Sequence, residues 1–365
     1  MENRLNAGIT HGDVNGVSYE LIIKLLAENR MCDLCTPILY GSSKVAAYYK
    51  KAFNAETFNL NGVKDPSEAN GKRSNIVNCV DDEVKVEIGK ETEDSDKAAM
   101  KALKCALDHL DNQMLDILTL APQGVNSFAT EEADCFIDFL AKRYNTLDLM
   151  TIAVNEKLKI GFVTENVKFR DVPRFVTAKN VYRKLTLLDN SLRMDFTIQR
   201  PKIAVLALNP SVKGMGQDEE KNVLEPVIER ARQNGIMAIG PFGAEEFFAE
   251  KLYEKFDAVL AMYYDQGMVP FKAMDVEGNA AYIAGLPVVC TTSLEEPKYN
   301  IAGQNVADEQ GLRDAMYLGM DIFVHRVQNL ELRKNPLPHY DIASNSNESD
   351  LNVEQIEGVK EEIED

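Results

Sequence analysis

Two stretches of this chain combine residue types that could do chemistry. Tyr264-Asp265-Gln266-Gly267, with Lys272 shortly after, gathers a carboxylate, an amide and an ammonium on what reads as a loop after an apolar run. Lys272 there could bind a phosphate or, with a lowered pKa, serve as a general base, while Asp265 could hold a cation or orient a donor. The plainer alternative is a Lys-Asp pair on the surface. Near the N-terminus, Thr10-His11-Gly12-Asp13-Val14-Asn15-Gly16 joins an extended run to a helix start, where free backbone N–H groups could hold an anion or a carboxylate. The spacing is neither that of a Walker loop nor G-x-G-x-x-G, and Asp13 with Asn15 could instead form an Asx-turn and cap the helix. Only four histidines occur, His11, His109, His325 and His339, and no two lie close enough in sequence to make a local ligand pair.

Strand-helix alternation positions these residues. The order is a strand into Gly8-Ile9-Thr10, a helix through Tyr19 to Leu26, a strand over Pro37 to Gly41, then Ser42 placed to cap a helix running to about Phe53. Ala99, Leu103, Ala106, Leu107 and Leu110 share one face of a helix over Asp94 to Leu110, which delivers a strand at Leu115 to Leu120. Strands are expected at Met150 to Val154 and Ile160 to Thr164, and a helix from about Ala178 to Phe196 ends before Pro201. Lys202 to Leu208 and Asp257 to Tyr263 are nearly continuous apolar runs, as in strands buried on both faces. The grammar is α/β. Ligands in open α/β sheets gather beyond the carboxyl ends of strands, which points to the loops after Leu208 and after Tyr263.

The chain has 365 residues, 45% of them hydrophobic, and no apolar run near the roughly 18 residues of a membrane span. With no secretory leader pattern at Met1 to Asn6, a cytoplasmic location without membrane attachment is expected. Of the net charge of -18, residues 341–365 supply -8, from nine carboxylates and one lysine, which leaves -10 for the rest. No basic stripe suits a nucleic-acid backbone, and residues 345–365 read as a disordered acidic tail. The six cysteines read as reduced packing residues, Cys32-x-x-Cys35 included, since that pair has no second pair or nearby histidine to complete a zinc site.

Several separated blocks occur in the order of one family: Ile9 to Gly16, Leu206-Ala207-Leu208-Asn209-Pro210, Ala258 to Gly267, Lys272, and Ala284-Gly285-Leu286-Pro287. The chain resembles the PdxA family, the 4-hydroxythreonine-4-phosphate dehydrogenases of pyridoxal phosphate biosynthesis, as far as about residue 326. The resemblance implies two α/β/α domains with a cleft between them, of the isocitrate/isopropylmalate dehydrogenase type. The first domain would comprise residues 1–125 plus 286–330 and the second 126–285, with 331–365 as tail. It also implies a homodimer, NAD as hydride acceptor, and a divalent metal held by three histidines that polarises the oxidised hydroxyl. Asp13, Asn15, Asn209 and Gln266 fall at substrate- or cofactor-binding positions, and Asp265 and Lys272 at catalytic ones.

The departures lie where that chemistry should be. The three metal-ligand positions carry Glu165, Ser211 and Tyr264. Cys290 stands in place of a substrate arginine, Ala281 in place of an asparagine, and Leu294-Glu295-Glu296-Pro297-Lys298 in place of a loop of small residues beside the cofactor. No metal is therefore expected, and NAD binding is in question. The expected function is a PdxA-like protein with lost or altered catalysis. The alternatives are a non-catalytic scaffold pairing with an active paralogue, or a metal-free enzyme on another phosphorylated hydroxy acid, with Lys272 as base and Tyr264 as acid.

Overall fold

A computed structural model describes residues 4–27, 30–80, 84–128, 133, 135–210, 218–274 and 278–334. Twelve strands make one sheet: β1 (Asn6–Thr10), β2 (Thr36–Gly41), β3 (Asn61–Val63), β4 (Asn75–Asn78), β5 (Ile117–Leu120), β6 (Met150–Val154), β7 (Lys159–Thr164), β8 (Lys202–Leu206), β9 (Met237–Phe242), β10 (Ala258–Tyr263), β11 (Ala280–Ala284) and β12 (Val289–Ser293). Their order is β3-β4-β2-β1-β5-β12-β11-β6-β7-β10-β8-β9. The first six in that order are mutually parallel, as are the last four, and β11 and β6 join the two blocks through antiparallel pairings. The expected domain limits at residues 125 and 286 fall after β5 and between β11 and β12.

The helices are α1 (Ser18–Ala27), α2 (Met31–Leu34), α3 (Ser43–Ala52), α4 (Glu93–Asp111), α5 (Phe136–Arg143), α6 (Val172–Phe175), α7 (Ala178–Met194), α8 (Glu225–Gln233), α9 (Ala244–Ala249), α10 (Tyr264–Ala273) and α11 (Gln310–Arg333). Ser42 caps α3 by accepting from the Val45 N–H at 3.4 Å, and Thr92 with Ser95 makes a capping box on α4. The stripe read on α4 is the buried one, since Ala99, Leu103, Ala106, Leu107 and Leu110 all face the core. The parallel strands are apolar on both faces because helices cover both. A π-helical turn, Glu220–Leu224, leads into α8.

Met1–Val327 is one compact unit, and Gln328–Asp365 is a second. Helix α11 remains regular through Arg333, past the residue at which the tail was expected to begin, and the acidic run itself lies outside the described residues. No helix among the described residues is long and apolar enough to cross a membrane.

Candidate functional site

The turn after β1 is closed by its own hydrogen bonds. Asp13 Oδ1 accepts from Asn15 N at 2.7 Å, so the Asx-turn forms, but α1 starts only at Ser18 and Asp13 does not cap it. The N–H groups read as an anion cradle already have protein acceptors: Asp13 N donates to Pro122 O and Val17 N to Pro297 O, each at 2.9 Å. Gly12 makes the closure feasible, with φ +63° and a site where a Cβ would meet Pro122 O at 2.2 Å. Asn15 is likewise engaged, donating to Thr92 Oγ1 at 3.0 Å and accepting from Glu87 N at 2.7 Å. The Tyr299 hydroxyl donates to Asp13 Oδ2, yet burial keeps the Asp13 carboxyl above its ordinary range. His11 beside them is fully buried, with Nε2 at 3.2 Å from Ala98 O and no partner on Nδ1, and burial lowers its pKa to about 4.

Tyr264 to Gly267 is not a loop but the first turn of α10. The helix lies directly on β7 because Gly267 has no side chain; a Cβ there would sit 2.4 Å from Ile160 Cδ1. Gln266 reaches back across the sheet end, accepting from Met262 N at 2.8 Å and donating to Ala207 O at 2.6 Å. Asn209, just past β8, donates from Nδ2 to Glu219 at 3.0 Å and to the buried Glu220 at 2.9 Å, in and beside the π-turn. Asn209 and Gln266 line one cavity of about 400 Å³ with Phe169, Pro210 and Tyr263. Both Gln266 bonds tie backbone groups at the ends of buried strands, so a Gln266→Ala variant should lose about 2 kcal/mol in a urea titration. A loss below about 0.5 kcal/mol would mean that water replaces the amide.

Asp265 and Lys272 are both exposed and two helical turns apart, about 10 Å of rise, so they do not form the direct pair read from the sequence. Lys272 instead lines a groove of about 590 Å³ with Asn279, Glu295, Glu296, Lys298 and Asp308. Lys298 Nζ lies 3.3 Å from Glu295 Oε1, and burial raises the Glu295 carboxyl while Lys298 and Lys272 oppose the rise. Asn279, Asp308 and Asp314 were missed because they stand singly in sequence, with no motif around them. Their only signal is position, since they flank β11 and the start of α11.

The positions expected for metal ligands present other donors. Glu165, at the end of β7, accepts from Thr151 N at 3.0 Å, and burial raises its carboxyl against the lowering effect of Lys184. The Tyr264 ring packs on Phe162 at 5.1 Å, and its hydroxyl is pushed up by burial and then by Glu165, Asp265 and Glu296. Ser211 lies outside the described residues. Among the described residues no three His, Cys, Asp or Glu side chains converge as metal ligands. A buried carboxyl already bonded to a backbone N–H, with a protonated phenol, does not fit the expected site of three neutral imidazoles. Two carboxylates at Glu295 and Glu296 likewise do not fit a dinucleotide pyrophosphate, which calls for N–H donors.

The family model described as "Pyridoxal phosphate biosynthetic protein PdxA" matches residues 33–319. A 4-hydroxythreonine-4-phosphate dehydrogenase of Bacteroides thetaiotaomicron is 38% identical over 92% of this chain and 93% of its own length. One from Aquifex aeolicus is 29% identical over 86% of this chain and 97% of its own. The solved 4-hydroxythreonine-4-phosphate dehydrogenase from Klebsiella pneumoniae superposes with a TM-score of 0.75 at 23% identity, covering 88% of this chain and all of that one. The α/β fold of the isocitrate/isopropylmalate dehydrogenase type, expected from the resemblance, is the fold observed.

Proposed function

Since the chain belongs to the family of the pyridoxal phosphate biosynthetic protein PdxA, we propose that it keeps this dehydrogenase scaffold but not the metal-assisted oxidation of 4-hydroxythreonine-4-phosphate. The observation that carries this reading is the state of Glu165. Its Oε1 already accepts from the Thr151 N–H, burial disfavours its charged form, and the positive charge of Lys184 acts on the same carboxyl, which together leave little attraction for a bound cation. In the family the metal, when bound, supplies Lewis-acid stabilisation of the developing alkoxide, worth several kcal/mol. This chain's own residues bind and position: Asn209 and Gln266 shape the cavity after β8, and Lys272 and Lys298 offer cations to an acidic groove. The protein acts as a binding subunit, as a homodimer or beside an active paralogue. Exposed Phe169, packed edge-on against Tyr263, and exposed Tyr264 and Val269 on α10 support a subunit contact there.

Calorimetry of divalent metal and NAD binding, with and without 4-hydroxythreonine-4-phosphate, tests the reading when NADH formation is followed in the same samples. The expected result is no metal heat and turnover at least a thousandfold below that of a histidine-bearing relative, equivalent to about 4 kcal/mol of lost stabilisation. Metal-dependent NADH formation overturns it. A strictly monomeric protein by light scattering, alone and mixed with such a relative, removes the subunit role.

A further inference from the structure

A cleft at the β3 rim of the sheet lies apart from the cavity after β8 and the groove at Lys272. It has two lobes, of about 460 and 260 Å³, joined because Asn59, Leu60 and Gly62 line both. The larger lobe is polar, with Thr57, Asn61 and Arg73 on its walls. The smaller is an apolar trough lined by Phe58 and Ile76, each 2% exposed, by Ala46 and Ala47 of α3, and by Lys50. We propose that this cleft binds a small organic phosphate, its dianionic head held by Arg73 and Lys50 and its apolar body lying in the trough.

Charge favours an anion here. The chain carries 58 carboxylates against 40 lysines and arginines, yet no Asp or Glu lines either lobe and each lobe holds a cation. The Arg73 guanidinium has no acceptor among the described residues, and its planar fork matches phosphate oxygens. Asn59 sets the second cation in place. Its Nδ2 donates to Glu56 O at 3.4 Å and Thr57 O at 3.3 Å, and its Oδ1 accepts from Lys50 Nζ at 2.7 Å. One of the ammonium's three donors is used there, which leaves the others for a ligand.

Gly62 points to an occupant. It is the middle residue of β3, at a φ that any residue adopts, and a Cβ there would meet no atom within 4 Å. Neither conformation nor packing calls for a glycine, which weakens a strand; the close approach of a ligand does. Asn61 opens β3 and Arg73 precedes β4, so the cleft lies away from the carboxyl ends of strands where α/β ligands usually gather.

The test titrates phenyl phosphate into the full chain by calorimetry, beside inorganic phosphate and benzylammonium chloride. Saturable binding of phenyl phosphate is expected, about tenfold tighter than that of inorganic phosphate because only the ester fills the trough, and none of benzylammonium. Arg73→Gln should weaken it by about tenfold or more. Gly62→Val should abolish it while leaving the urea midpoint unchanged or higher, since valine suits a strand and displaces no neighbour. No saturable binding, equal affinity for either control, an unchanged affinity in Arg73→Gln, or binding that survives Gly62→Val and so lies elsewhere, overturns the proposal.

Discussion

An Arg326→Leu variant is expected to lose about 3–5 kcal/mol of stability, seen as a lower urea midpoint with an unchanged slope. Asp195, at the C-terminal end of α7, is 3% exposed, and its carboxylate has two partners: Arg326 Nε donates to Oδ1 at 2.8 Å and the Tyr282 hydroxyl donates to Oδ2 at 2.8 Å. The guanidinium also donates to that phenol oxygen, so one fork closes a triangle linking α11, α7 and β11. Removing the arginine leaves a buried carboxylate with the phenol alone, and a desolvated charge without its counter-ion is the costly half of such a pair. Arg326→Lys should recover only part, because an ammonium cannot reproduce the fork. Adding Asp195→Asn to Arg326→Leu should restore more than it costs alone. A single-variant loss under about 1 kcal/mol would show that apolar packing, not this charge, fastens α11.

Acid should destabilise the fold through His11 in a window fixed by its burial. Its pKa in the folded chain is about 4, against an ordinary 6.5. Between those values only the unfolded chain takes up the proton, so the contribution is intact above pH 6.5 and is lost as pH falls towards 4. A shift of that size corresponds to roughly 3 kcal/mol. Buried carboxyls with raised pKa, Asp13 and Glu165 among them, act in the opposite direction, because the folded chain holds their protons more tightly. The His11 effect is therefore read as the difference between the unmutated chain and His11→Gln, in urea midpoints from pH 7.5 to 4.5. The variant should flatten the fall; parallel curves would mean that His11 finds a proton acceptor when charged.

Most elements were legible because their signals are local. Ser42 announces α3, the apolar stripe of α4 repeats at helical spacing, and the continuous apolar runs of β8 and β10 suit strands covered on both sides. What was not legible depends on neighbours. Tyr264 to Lys272 reads as a loop because Gly267 and Pro270 argue against a helix, yet the glycine is there for the helix, allowing it to touch Ile160. The Ala280–Ala284 run carries little strand preference, and β11 exists because β6 and β12 flank it. At the site, the sequence named Asp13, Asn15, Asn209, Gln266, Asp265 and Lys272 as one set. The fold puts Asp13 and Asn15 in the turn sealed by Pro122 and Pro297, Asn209 and Gln266 at the cavity after β8 and Lys272 in a separate groove, and leaves Asp265 exposed on the first turn of α10, a division no spacing rule encodes.

A sheet of twelve strands still has only two rims, and both are poor templates for another chain. One is β3, three residues long; the other is β9, where Pro241 removes a donor and the pairing with β8 is irregular between Ala204 and Leu206. Neither rim offers a long, regular row of donors and acceptors for an incoming strand. Copies of this protein should thus recognise one another through side chains on helices and loops, where shape and charge can choose a partner, and not by extending a ladder that would accept almost any strand.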